Sequence, residues 1–173
     1  MRSDVTFTSD GLSCAGWLYV PDDLEDGERR PAVVMAHGFS AVKEMHLANF
    51  AEKFEEAGLV VLVFDYRYFG DSEGEPRVRL FPTEQHEDYR NAITWVSQRP
   101  EVDPDRIGVW GSSYSGGHVL HLAAFDKRIK AVVSQVPLAD GWENAQRLMR
   151  PDVFAGFHNM LAEDRLRRYK GEG

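Results

Sequence analysis

Two short runs of this sequence are apolar without interruption, Ala32 to Ala36 and Leu59 to Phe64. A strand with one solvated face alternates apolar and polar residues, and a strand buried on both faces does not. Runs of this kind therefore belong to a parallel sheet covered on both sides. Between them Leu47, Phe50, Phe54 and Ala57 recur at helical spacing, with Glu52, Lys53, Glu55 and Glu56 mostly on the other side, and Gly58 ends the segment. Strand, helix and strand make one right-handed crossover. The rest of the chain has to fit around it, which predicts an α/β fold: a mostly parallel central sheet of about six strands with helices on both faces.

Upstream, Val5 to Thr8 and Leu12 to Val20 read as strands joined at Asp10-Gly11, a hairpin signal, and Pro21 to Arg30 is a polar, acidic loop. Downstream, Asp65-Tyr66-Arg67 closes the second apolar run, and a carboxylate so near a guanidinium reads as a loop brace. Thr83 to Gln98 is the next helix, with Tyr89, Ala92, Ile93 and Val96 on its inner face. Adjacent helical residues point in different directions, so His86, Glu87 and Asp88 are read as a solvated face. Ile129 to Val136 is the last clear strand. From Gly141 to Lys170 the chain is helical in tone, interrupted by Pro151 and Gly156, and the tail from Asp164 reads as a fraying end.

The stretch from Arg106 to Leu122, RIGVWGSSYSGGHVLHL, carries the chemistry. Ile107, Val109 and Trp110 form a short apolar run, Gly111 to Gly117 is dense in small residues, and Val119, Leu120 and Leu122 begin a helix. Ser113 stands at the turn, with Gly111 two residues before it and Ser115 two after, one residue away from the G-x-S-x-G nucleophile elbow. A serine on a strained turn projects its oxygen past the backbone only if small residues let strand and helix approach. The next amide, on Tyr114, sits at a helix start and faces an oxyanion formed on a carbonyl attacked by Ser113. The competing reading of GSSYSGG is a plain Gly/Ser loop ending a strand.

PAVVMAHGF at 31–39, LVVLVFDYRYFGDSEG at 59–74 and RIGVWGSSYSGG at 106–117 occur in order. Together they resemble the successive signatures of an α/β-hydrolase, nearest the branch similar to dienelactone hydrolases and X-Pro dipeptidyl-peptidase-like domains. The resemblance covers roughly residues 5 to 140. It departs at Ser115, where the usual pattern has Gly. It implies a serine nucleophile at Ser113, with the backbone N–H groups of Phe39 and Tyr114 as the oxyanion hole. His37 is read as shaping the loop around Gly38. The resemblance further implies a core over 1–140 and, over 141–173, a helical segment where a lid begins.

The triad of that family runs Ser, then Asp or Glu, then His along the chain, usually after strands seven and eight. The sequence shows about six strands, and no such pair is evident. Asp140 and His158 are in the right order, but His158 lies in a helical segment without a delivering loop. The resemblance therefore predicts the N-terminal part of a longer hydrolase. The outer edge of its sixth strand, around Ala131 to Ser134, is expected to be open to a second copy or a complementing C-terminal segment. Two function classes follow. One is a serine hydrolase of esters, lactones or amides, impaired or inactive as this chain alone. The other is a non-catalytic fragment that binds a small molecule or a partner.

Composition excludes several other classes. A formal charge of −8 and a pI near 5.2 argue against nucleic acid or an anionic membrane as partner. A single cysteine, Cys14, cannot form an internal disulfide, and no apolar run approaches membrane-spanning length, so the sequence reads as cytoplasmic. No phosphate loop, dinucleotide fingerprint or thiol pair occurs, which predicts no cofactor. His118 and His121 lie one turn apart without an evident third ligand, which predicts no metal. The partner expected is a small-molecule carbonyl substrate, for which Phe69, Tyr114 and Trp142 are either pocket lining or packing.

Overall fold

A computed structural model of the chain describes residues 1–172; Gly173, the end of the expected fraying tail, lies outside the described residues. The chain divides into two units, Met1–Pro137 and Leu138–Gly173. In the first, strands β1 (Arg2–Ser9), β2 (Leu12–Tyr19), β3 (Arg30–Ala36), β4 (Val60–Phe64), β5 (Val102–Ser112) and β6 (Ile129–Gln135) form one sheet in the order β1-β2-β4-β3-β5-β6. The β1–β2 and β2–β4 pairs are antiparallel, and β3, β4, β5 and β6 run parallel. This is the α/β architecture that the apolar runs imply. The hairpin turns at Asp10 and Gly11, both at positive φ, as a two-residue connection requires.

Helices α1 (Leu47–Glu56), α2 (Pro82–Ser97) and α3 (Tyr114–Phe125) cover the sheet. The pleat of β4 sorts its side chains between two cores. Val61 and Val63 join Met35, Trp110, Leu47 and Ala51 on the α1 face. Val60, Leu62 and Phe64 join Tyr89, Ile93, Val109 and Val119 on the face of α2 and α3. Sheet order and pleat thus bring the carboxyl ends of β3 and β5 together as neighbours, where a parallel α/β sheet offers a crevice.

The second unit consists of α4 (Gly141–Leu148) and α5 (Pro151–Tyr169), and neither contains a buried residue. Pro151 opens α5 at a position where its missing N–H is no loss. Gly156 does not interrupt that helix, and the basic tail stays helical through Tyr169 instead of fraying from Asp164. Arg168 and Asp164 pair one turn apart within it at 2.9 Å. Among the described residues, no helix is long and apolar enough to cross a membrane.

Candidate active site

Ser113 follows the last residue of β5 and caps α3 with φ 57° and ψ −116°. A side chain in that region is strained and is held there only by its surroundings. Those surroundings are tight. A Cβ on Gly111 would stand 2.7 Å from Ser115 Oγ and closer still to the Ser115 carbonyl, so strand and helix meet here only because residue 111 has no side chain. The backbone N–H of Ser113 donates to the Gln135 carbonyl at 2.9 Å, fixing the turn on β6. Ser113 is solvent-exposed, and its side chain makes no capping bond to the helix amides. Tyr114 is the first residue of α3, so its N–H has no acceptor within the helix.

The loop after β3 passes directly beside this turn. A Cβ on Gly38 would lie 3.5 Å from Ser113 Cβ and 4.0 Å from its Oγ. His37 Nδ1 is 3.0 Å from the Gly38 carbonyl, which can only accept, so Nδ1 carries the proton. In a trans peptide the Gly38 C=O and the Phe39 N–H point in opposite directions, so holding one aims the other. His37 therefore shapes the loop, in agreement with the reading of the sequence. Burial lowers its imidazole below the ordinary value, against the opposing pull of the Gly38 carbonyl and Asp65. The Phe39 ring is largely exposed and meets the Tyr114 ring edge to face at 5.7 Å, forming an aromatic wall beside Ser113. Phe69 is buried against His37, which makes it packing.

Two bracing networks differ from the sequence reading. Asp65 pairs with Lys43 and not with Arg67, taking the Lys43 backbone N–H at 2.7 Å and its Nζ at 2.8 Å. Arg67 donates instead to Asp88 at 2.7 Å and Asp10 at 2.8 Å, tying α2 to the β1–β2 hairpin. Asp88 is fully buried in that pair, so it is not part of a solvated face. A carboxylate inside a helix-facing core needs a buried cation, and sequence spacing does not reveal one 21 residues away.

Among the described residues, one carboxylate group, Glu44, Asp65 and Asp71, is close enough together to share a cation. Lys43 Nζ already fills it, at 2.7, 2.8 and 2.6 Å from the three. Burial opposes the Lys43 charge, but its hydrogen bonds to these carboxylates prevail and hold it protonated well above the ordinary lysine range.

His118 is buried, and its Nε2 donates to Gln85 Oε1 at 2.8 Å while its Nδ1 lies 2.9 Å from His86 Nε2. The His86 ring stacks on His121 at 4.2 Å. His86 is thus the third imidazole that the spacing of His118 and His121 did not disclose, because it arrives from α2. Burial, reinforced by the neighbouring imidazoles, pushes His118 down to about 3; burial, His121 and Arg90 push His86 down to about 4. Both are neutral hydrogen-bonding groups at neutral pH, and none of these bonds reaches Ser113. In the second unit, the Asp140 carboxylate caps α4 by accepting from Trp142 N and Glu143 N at 2.9 Å. His158 packs on the Trp142 ring at 4.6 Å.

A strained, exposed serine between a strand and a helix of a mostly parallel sheet defines the α/β-hydrolase fold class. Comparison with known proteins narrows it. Residues 10–170 match the X-Pro dipeptidyl-peptidase (S15) family, and the chain belongs to that family. It is 44% identical over 145 residues to the quorum-quenching protein AidA of Acinetobacter baumannii, covering 84% of this chain and 47% of that protein. It is 45% identical over 155 residues to the thiohydrolase aneE of Aspergillus aculeatus, covering 88% and 46%. The crystal structure of the α/β hydrolase GrgF from a Penicillium species superposes with a TM-score of 0.77 at 35% identity, covering 99% of this chain and 56% of that one. The chain spans about half the length of the curated relatives it matches.

Proposed function

We propose that this chain carries the nucleophile half of a serine hydrolase acting on an ester, lactone or amide through an acyl-enzyme. The observation that carries the reading is the exposed Ser113 at φ 57°, with the Gly38 loop passing so close that a Cβ there would lie 3.5 Å from Ser113 Cβ. Ser113 Oγ attacks the carbonyl carbon as a base removes its proton, and the carbonyl oxygen becomes an oxyanion between the Phe39 and Tyr114 N–H groups. Collapse of this intermediate expels the alcohol or amine, which takes up the proton. Water then repeats the sequence on the acyl-enzyme and releases the acid. Hydrolytic chemistry is supported by the family and by a relative named a thiohydrolase.

The serine hydroxyl is almost wholly protonated at neutral pH and needs an imidazole within hydrogen-bond reach. Lacking a triad member, a site of this type retains only about 10³–10⁴-fold acceleration over water. We therefore read the chain alone as impaired. Its acid and base come from a complementing C-terminal segment; the open edge of β6 is where such a segment, or a second copy, pairs. The engagement of His37, His86 and His118 in other bonds favours the alternative, a non-catalytic binding fragment. A fluorophosphonate probe with peptide mass mapping separates the two. Slow but stoichiometric labelling at Ser113, at the residual rate left without its base and lost in Ser113→Ala with the melting temperature preserved, is the expected result; no labelling under native conditions overturns it in favour of binding.

A further inference from the structure

Tyr89 comes from the middle of α2, and its ring is fully buried beside Phe64 and Tyr66. A phenylalanine would fill that space, and a buried hydroxyl is costly unless it is paired. This one is paired three times. It accepts from the Ala36 backbone N–H at 3.0 Å, donates to the Trp110 carbonyl at 2.9 Å and lies 3.0 Å from Ser115 Oγ. The Trp110 carbonyl can only accept, so the single phenolic proton goes there, and the Ser115 hydroxyl donates to Tyr89. Ser115 Oγ in turn accepts from the Tyr66 hydroxyl at 3.3 Å. Protons therefore run in one direction, from Tyr66 to Ser115 to Tyr89 to Trp110. Burial raises both phenols above their ordinary ionisation range, which keeps the chain neutral.

The groups tied together are those that set the geometry around Ser113. Ala36 ends β3, and the next residues are His37, Gly38 and Phe39. Trp110 precedes Ser113 by three residues on β5, and Met35–Trp110 and Ala36–Gly111 are ladder partners. The Tyr89 hydroxyl thus sits where the two strands stop pairing and diverge, one toward the Phe39 amide and the other toward the elbow. Ser115 lies in the first turn of α3, and its backbone is what packs against Gly111. One oxygen binds the exit of β3, the exit of β5 and the start of α3. This also gives a reason for the departure from Gly at position 115: the hydroxymethyl is a link, not merely a tolerated side chain.

We propose that Tyr89, with Ser115, is the positioning device of this site, holding the Phe39 amide and the Ser113 hydroxyl at the separation a single tetrahedral intermediate requires. The inference rests on the reading of Ser113 as nucleophile. Neither residue touches substrate, so both act through the backbone they hold.

The test is the concentration dependence of fluorophosphonate inactivation of the full chain, which separates the reversible constant KI from the chemical rate kinact, alongside thermal melts. In Tyr89→Phe the expected kinact is about 10- to 100-fold lower, since small misplacements of reacting groups cost that much, while KI is unchanged. Ser115→Ala lowers kinact in the same sense by a smaller factor. A lower melting temperature with kinact per folded molecule unchanged means that the hydroxyl only packs, and the proposal falls. If Tyr89→Phe does not fold, Ser115→Ala decides, because it leaves Tyr89 bonded to both strands: a wild-type kinact there overturns the proposal. A wild-type chain that takes no label at Ser113 removes the nucleophile reading and this inference with it. That outcome differs from labelling indifferent to both variants, which removes the inference alone.

Discussion

Strand β4 reads VVLVF and strand β6 reads IKAVVSQ, and both are rich in β-branched residues. All five residues of β4 are buried, whereas in β6 Val132 is 37% and Val133 52% exposed. The difference is one of neighbours. β4 lies between β2 and β3 with α1 on one face and α2 on the other; among the described residues β6 pairs only with β5, at the sheet edge. Helix α3 packs over one of its faces, anchored by Ser134 Oγ donating to the Gly116 carbonyl at 2.9 Å. A strand whose outer backbone edge has no partner among the described residues, and which exposes two valines, is a template for another strand. The comparison teaches that apolar composition marks a segment for burial, and that a neighbour must exist for burial to happen.

The largest effect that tests this belongs to β4. Leu62→Ala removes a side chain with no exposure and is expected to cost about 2–5 kcal/mol in urea unfolding, because the packed surroundings cannot collapse into the space. A loss no greater than that of an exposed residue would break the contrast.

Acid provides a second, intermediate probe, directed at the face of β4 that α2 and α3 cover. The unfolded imidazoles take up protons near 6.5, while folded His118 does so only near about 3 and His86 near about 4. Between those values the unfolded chain binds more protons, so this contribution to stability is complete above about 6.5 and falls as the pH drops toward 4. Melting temperatures across that range are expected to decline, and less steeply in His118→Gln. A decline equally steep in the variant would place the acid sensitivity elsewhere.

The smallest stability effect belongs to β6. Val133→Ala is expected to change stability by no more than about 0.5 kcal/mol. Val133→Lys should fold normally and reduce concentration-dependent self-association measured by light scattering. Unchanged association would show that the edge is not the sticky surface.

The elbow was legible because its constraints are local. Gly111, Ser113 and Tyr114 are neighbours in the chain, and the strained turn that joins them leaves a pattern of small residues in the sequence. The Gly38 loop was legible for the same reason. Tyr89 looked like any inner-face residue of an amphipathic helix, because periodicity reports that a side chain points inward and not which backbone atoms its hydroxyl will meet. Adjacent helical residues diverge, which reads His86 and Asp88 as solvated; they do diverge, yet His118 and Arg67 wait on different sides of α2.

Apolar runs, helical spacing and turn residues thus settled the kind of fold, the order of most of its strands and helices along the chain, and the position of Ser113, since each depends on a few residues in sequence. The pairing of Lys43 with Asp65, of Arg67 with Asp88, and of one tyrosine hydroxyl with three distant groups was settled by folding. These contacts join residues 21 to 53 positions apart, and no local pattern encodes which distant polar group will desolvate beside which.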